Sequence, residues 1–200
     1  MQDPSKPLLS EIKVNILENK IAHFKLPESI IEELEEWKLE CDKIKKHPLA
    51  SLKTHDNRGT KSNNFQVSVP SDLIYKSYWL PFTLRACAAW LGKDHRSLYL
   101  RKWEGHFDGL DIWINYAYRD NYNPPHIHAG FLSGVIYYSN ENDLTLFNDG
   151  KIKFNGTKGD MIVFDSNLEH CVQPQKENYE RVTFAFNLQT YEGDKNARPQ

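Results

Sequence analysis

Cysteine is scarce in this chain. Its three cysteines, Cys41, Cys87 and Cys171, are odd in number, widely separated and form no CxxC pair. That argues against a disulfide framework or a thiolate zinc site and suits a reducing compartment, the cytoplasm. Long apolar runs are missing too, and none approaches the roughly 20 residues that span a bilayer, so no membrane association is expected. The opening MQDPSKPLLSEIK carries acids and prolines where a secretory leader needs a basic start and an apolar stretch. Neither sign of charge dominates, and the formal net charge is −2. Without a concentrated basic surface there is no electrostatic ground for a nucleic-acid partner. Basic residues alternate with acids, as in KLECDKIKK (38–46), which reads as a solvated helix face. Internal repeats and low-complexity tracts are absent.

What is present is the composition of an ordinary globular protein, 40% hydrophobic and 26% charged. Two hundred residues suit a single domain, 1–200, with a real core. The pattern changes near the middle. From Pro27 to Lys46, Leu34, Trp37, Cys41 and Ile44 recur at helical spacing, with Ser29 and Glu32 as a capping box and Pro48 marking the exit. A second helix is expected from Asp72 to Trp90, closed by Gly92, and the polar stretch 53–64 between the two reads as a loop. From Leu98 onward, short runs rich in β-branched and aromatic residues follow one another, among them DIWINYAY (111–118), FLSGVIYYS (131–139), DMIVF (160–164) and RVTFAFNL (181–188). Turn signals at 148–150 and 158–160 separate others. The expected fold class is α+β, mainly β: a barrel or sandwich with flanking helices. Residues 1–97 are expected to form a helical N-terminal support region, 98–190 the β-rich core and 191–200 a flexible tail. The N-terminal helices also offer a surface for a homodimer.

Four residues carry the chemistry. His126 and His128 are two apart, so on an extended strand both imidazoles point to one side and can reach one metal ion. With eight histidines in the chain, chance alone yields about 0.3 such pairs, so surface histidines at a strand end are the competing interpretation. The setting favours a site: Pro124 and Pro125 stiffen the approach, and Ala129-Gly130 lead into a strand, as at a barrel mouth. His170 re-enters after the strand DMIVF and the loop DSNLE. Arg181 opens a strongly apolar strand, where a positive charge must meet solvent, a structural ion pair or an anionic ligand. Arg181 and Thr183 share a face, and a guanidinium fork beside a hydroxyl makes a receptor for one carboxylate.

The strand bearing Trp113 and Asn115, then PHIHAGFLSGVIYY, KGDMIVFDSNLEHCV and RVTFAFN, occur in an order and spacing that resemble the phage-type 2-oxoglutarate–iron(II) oxygenase family of the double-stranded β-helix dioxygenase superfamily. The resemblance spans roughly 80 residues, from Asp111 to Leu188. It implies a double-stranded β-helix (jelly-roll) core with iron at its open end. His126 and His170 take the positions of the two metal histidines. His128 stands where many relatives outside this family carry Asp or Glu; the phage-type family often shows the HxH form. Asp108, Asp111 and Asp120 are the nearby acids that could restore a carboxylate to the usual two-histidine, one-carboxylate set. Arg181, with Thr183, takes the position that holds the distal carboxylate of 2-oxoglutarate, and Asn115 and Tyr137 are further candidates for co-substrate contacts. The implied activity is an Fe(II)- and 2-oxoglutarate-dependent dioxygenase. It would use O2 to hydroxylate an unidentified substrate, releasing succinate and CO2, in the host cytoplasm if phage-encoded.

Two other interpretations compete. A cupin-like enzyme would hold Fe, Mn or Zn on the three histidines without 2-oxoglutarate, but it would usually add a Glu soon after the HxH pair and would leave Arg181 without a task. A jelly-roll binding or virion module would carry a structural metal or none.

Overall fold

The computed structural model describes residues 14–17, 21–46, 65–102, 109–139, 143–174, 176 and 178–191. In chain order the elements are β1 (Val14–Leu17), β2 (Ile21–Lys25), α1 (Glu28–Lys46), β3 (Phe65–Ser68), α2 (Ser71–Lys76), α3 (Trp79–Leu91), β4 (Leu98–Leu100), β5 (Ile112–Ala117) and β6 (Asn123–His126). They continue with β7 (Leu132–Tyr137), β8 (Asp143–Phe147), β9 (Ile152–Gly156), β10 (Asp160–Asp165), β11 (His170–Val172) and β12 (Arg181–Thr190).

In α1, Ile30, Leu34, Trp37 and Cys41 fall three or four apart and are buried on one face, as the periodicity predicts. The helix starts earlier than the capping box implies. The Pro27 carbonyl accepts the N–H groups of Ile30 and Ile31, which places Ser29 inside the first turn. The single helix expected over Asp72–Trp90 is instead α2 and α3. Ser77 ends α2 by directing both its N–H and its hydroxyl at the Ile74 carbonyl, the local competition that makes serine a poor helix-interior residue. Glu33, reaching over from α1, then accepts the N–H groups of Tyr78 and Trp79 at 2.8 and 3.0 Å and supplies a carboxylate at the start of α3. Gly92 ends α3 in the left-handed conformation, φ 62°, as expected.

The strands form two antiparallel sheets. The larger runs β1-β2-β10-β7-β12-β5-β3, with β4 added to the end of β12, and the smaller runs β6-β11-β8-β9. Residues 1–97, read from sequence as helical, therefore contribute three strands to the large sheet as well as helices. They were missed because each is only four or five residues long, and IAHFK turns His23 and Lys25 to the same side as Ile21, blurring the alternation. The 53–64 loop and the tail beyond Tyr191 lie outside the described residues.

Strand parity sorts the side chains. One face of the large sheet, with Phe24, Val163, Ile136, Phe184, Phe186 and Ile114, packs beneath the helices. Trp79 meets Trp37 at 5.4 Å and Phe186 at 5.1 Å between ring centroids, both edge to face. The other face looks onto the small sheet. Near β2, β7 and β10 that interior is apolar: Ile21, Tyr137, Phe147, Phe154, Ile162 and Phe164 form one cluster drawn from both sheets. Along β5 and β12 the inward set is Asp111, Trp113 and Asn115 against Arg181, Thr183, Ala185 and Asn187. Polar side chains thus line the wall of a sandwich whose other end is greasy. Among the described residues no helix is long and apolar enough to cross a membrane.

Candidate metal centre and co-substrate pocket

The three histidines converge. His126, at the end of β6, is the direct cross-strand partner of His170, the first residue of β11. His128 lies two residues past His126, and its backbone N–H donates to Ser166 O at 2.9 Å, which ties the loop to the end of β10. One ring nitrogen from each histidine falls within a group whose members lie within 4.8 Å of one another. Nε2 of His128 is 3.2 Å from Nε2 of His170.

Two of the rings have their tautomer set by a carbonyl. Nδ1 of His126 lies 2.7 Å from Pro124 O, and Nδ1 of His170 lies 3.0 Å from Leu168 O. A carbonyl only accepts, so each Nδ1 carries the proton and each Nε2 keeps its lone pair. This is the outer-shell arrangement that orients metal-binding imidazoles. Metal–nitrogen bonds of about 2.1 Å separate adjacent ligands by roughly 3.0 Å at right angles, and the His128–His170 spacing matches that. The donor set therefore fits a borderline divalent transition metal. The Asn123 amide nitrogen faces Nε2 of His126 at 3.3 Å.

Burial tunes the rings for the same task. His128 is pushed down to about 3, chiefly by desolvation and then by the charges of His170, His126 and Arg101. His170 is pushed down to about 4 by desolvation and by His126. Desolvation also lowers His126, against the opposing hydrogen bond to Pro124. All three are neutral at physiological pH, the form that binds metal.

Of the three acids considered as a fourth ligand, Asp111 is turned to other partners, Arg101 and Asn187. Asp120, at φ 64°, is exposed and lies 4.0 Å from Arg119. Asp108 lies outside the described residues. Among the described residues the cluster consists of the three imidazoles.

Arg181 is 8% exposed and shares the inward face of β12 with Thr183. Glu180, the acid next to it in the chain, pairs with Lys45 and accepts from the Tyr118 hydroxyl. Thr183 lies between Asn115 and Tyr137 in adjacent strands. Asn115 is held by three contacts: its Oδ1 accepts from Trp113 Nε1 at 3.0 Å and Gln66 Nε2 at 2.7 Å, and its Nδ2 donates to Thr183 Oγ1 at 3.3 Å. Two donors on Oδ1 fix which end of the amide faces Thr183, and Thr183 then has its own O–H to give away. Tyr137 sits deeper, 1% exposed, with its hydroxyl 2.7 Å from Thr145 Oγ1 and its ring against Phe154.

Sequence reasoning missed several members. Gln66 comes from β3, a strand not anticipated. Trp113 lends its indole N–H to Asn115 and lies with its ring centroid 5.9 Å from that of His128. Arg101, Asp111, Asn187, Ser133 and Ser166 form a further polar chain beside the histidines. The signal for Asn187 was available, since Arg181, Thr183, Ala185 and Asn187 alternate with the apolar Val182, Phe184, Phe186 and Leu188. His23 lies 2.8 Å from Asp160. His47, His55 and His106 lie outside the described residues. A separate groove of about 720 Å³ beside α3, lined by Arg85, Lys93, Asp94 and Arg96 among others, shares no residue with the histidine cluster.

The architecture is a double-stranded β-helix with a three-histidine cluster on its inner wall. No family model and no curated protein matches the sequence. Solved structures match the fold. An oxidoreductase of the 2OG-Fe(II) oxygenase family from Burkholderia pseudomallei superposes with a TM-score of 0.61 at 16% identity, covering 86% of each chain. A prolyl hydroxylase from Trichoplax adhaerens, in complex with a hypoxia inducible factor oxygen degradation domain peptide fragment, gives 0.57 at 10% identity over 92% of this chain and 89% of its own. HygX from Streptomyces hygroscopicus, with nickel and 2-oxoglutarate bound, gives 0.53 at 12% identity over 84% and 83%. At such identities the likeness is one of fold.

Proposed function

We propose that the chain is an Fe(II)- and 2-oxoglutarate-dependent dioxygenase that hydroxylates an as yet unidentified substrate, with release of succinate and CO2. The observation that carries this reading is the convergence of three neutral imidazoles, in a sandwich where Arg181 and Thr183 lie on the inward face of β12. His126, His128 and His170 would hold Fe(II), leaving room for a bidentate co-substrate and O2. The metal, when bound, supplies the redox chemistry that couples 2-oxoglutarate decarboxylation to oxidation of a C–H bond. The chain's own contributions are positional. Arg181 presents a planar fork and Thr183 a hydroxyl to the distal carboxylate of 2-oxoglutarate. Gln66 and Trp113 hold Asn115 so that Asn115 occupies the acceptor side of Thr183 and leaves its O–H as the donor. Phe147 and Phe164, whose rings approach that of His170 at 5.8 and 4.7 Å, would keep water from one side of a metal held there.

The PHIHAGFLSGVIYY segment, with its HxH form, supports placement in the phage-type subset of these enzymes. A cupin-like three-histidine enzyme is the second reading, favoured by the lack of a carboxylate in the cluster among the described residues. The test is succinate formation from 2-oxoglutarate by protein reconstituted with Fe(II). Metal-dependent consumption of O2 without any need for 2-oxoglutarate favours the cupin reading, and no divalent-metal binding at all refutes both.

A further inference from the structure

The metal cluster has a second guanidinium beside it. Arg101 follows β4 directly, and its backbone is fixed on both sides: its N–H donates to Asn187 O at 2.9 Å, and its carbonyl accepts the Asp111 N–H at 2.8 Å. Its Nη1 donates to Asp111 Oδ2 at 2.9 Å. That oxygen also accepts Asn187 Nδ2 at 2.8 Å, and Asn187 Oδ1 accepts the Ser133 hydroxyl at 2.7 Å. Ser133 in turn lies 2.9 Å from the Ser166 hydroxyl. Asp111, Asn187, Ser133 and Ser166 are all at most 3% exposed, whereas the Arg101 side chain is 28% exposed. A buried chain of hydrogen bonds therefore holds the base of a guanidinium whose outer edge reaches solvent.

Strand register places this guanidinium relative to the metal cluster. Trp113, whose ring approaches His128, is the cross-strand partner of Ala185. Trp113 thus stands abreast of Ala185 in the inward row Arg181, Thr183, Ala185, Asn187, in which successive members are roughly 7 Å apart, and its ring reaches His128. In one direction the row leads to Thr183 and Arg181. In the other it leads to Asn187, Asp111 and Arg101. The inward row thus carries Arg181 at one end and, through Asn187 and Asp111, Arg101 at the other.

We propose that Arg101 anchors a carboxylate of the primary substrate, so that the hydroxylated compound is an organic acid or carries an acidic group. The inference rests on the dioxygenase reading, in which Arg181 is committed to 2-oxoglutarate. Among the described residues only Nη1 of the Arg101 fork makes a hydrogen bond. Nε and Nη2 remain as parallel donors, the pair that suits a carboxylate. Asp111 keeps the plane of the fork fixed, which lowers the entropic cost of docking. A ligand set of three neutral imidazoles reinforces the choice, because it leaves more positive charge at the metal than a set containing a carboxylate does.

The bland alternative is that Arg101 exists only to neutralise buried Asp111. Matched probes separate the two: benzoate against benzamide, and N-acetylglycine against its amide, each titrated into protein loaded with Mn(II) and 2-oxoglutarate. Paramagnetic broadening of the probe protons reports approach to the metal without turnover. Each acid is expected to broaden at concentrations at least tenfold below those its amide requires. Arg101→Lys, which keeps a cation for Asp111 but loses the fork, is expected to erase that difference while circular dichroism confirms folding. Equal broadening by acid and amide in the wild type, or an unchanged preference in a folded Arg101→Lys, overturns the proposal. Failure of 2-oxoglutarate itself to bind the Mn(II) protein, seen in the same titration, sinks the dioxygenase reading instead.

Discussion

His126 and His170 stand directly opposite each other across the β6–β11 ladder, with ring centroids 4.3 Å apart and each Nδ1 held by a carbonyl two residues earlier in its own chain. Residues that the sequence separates widely are thus fixed by one antiparallel pairing, while His128 joins from the loop beyond. Each of the first two is expected to be indispensable: His126→Ala or His170→Ala removes a preoriented donor and abolishes stoichiometric Fe(II) or Mn(II) binding in calorimetry. His128→Asp is expected to retain metal, because it restores the two-histidine, one-carboxylate set at the same strand position. Loss of metal in His128→Asp while His126→Ala still binds would reverse these assignments.

The same three rings make the metal-free protein acid-sensitive. Their folded pKa values lie below the unfolded value of 6.5, reaching about 4 in His170 and about 3 in His128. Between 6.5 and those values the unfolded chain binds protons that the folded chain does not, so stability falls as pH falls through that window. Chemical or thermal unfolding of chelator-treated protein is expected to show a midpoint that is flat above pH 7 and drops steadily toward pH 4. Asp160 acts lower down. Burial pushes its carboxyl up, but hydrogen bonds from Lys25, His23 and Thr157 more than offset this and hold it at about 2. Its contribution is lost only below pH 4. A midpoint unchanged between pH 7 and pH 5 contradicts the burial of the histidines.

Much of this arrangement could be read from the chain before any coordinates. DIWINYAY, FLSGVIYYS and RVTFAFNL stand out as runs rich in β-branched and aromatic residues because both faces of each are covered, one by the helix layer and the other by the second sheet. These strands emerge within two residues of expectation. The HxH spacing drew attention to the pair, but only His126 lies on a strand, and His128 reaches the cluster from the loop that follows. The polar wall was harder. Gln66 lies on a four-residue strand whose place in the sheet is set by pairing with β5, a tertiary fact that local pattern does not carry. Arg101 and Asp111 are ten residues apart and meet only because the chain returns alongside itself at the Lys102–Leu110 bridge. The split between α2 and α3 depends on Glu33, a side chain from another helix.

Gln66 allows the positioning chain to be tested apart from the metal. Gln66→Leu leaves Asn115 Oδ1 with Trp113 as its donor and loosens the amide that orients Thr183. The lost hydrogen bond is worth about 1 kcal/mol, so 2-oxoglutarate affinity is expected to fall about five- to tenfold, with Mn(II) affinity unaltered. Gln66→Asn, which keeps an amide but shortens its reach, is expected to recover only part of the loss. Calorimetric titration of 2-oxoglutarate into the Mn(II) protein reads both. A parallel fall in metal affinity would instead mark Gln66 as a general support of the fold.

Gly134 offers a test of the outer packing that holds the sandwich to its helices. It pairs with Phe186 across β7 and β12, and the Phe186 ring lies over it so closely that an added Cβ would sit 2.1 Å from the ring. Phe186 cannot yield easily, because Trp79 packs edge-on against its other side. Gly134→Ala therefore forces a backbone or ring shift of the kind that costs typically 1–3 kcal/mol in a packed core. The melting temperature is expected to fall by several degrees. Adding Phe186→Leu, which removes the obstructing ring, is expected to make the alanine less costly than it is in the wild-type background. Strictly additive losses in the double variant would show that the ring is not what excludes a side chain at position 134.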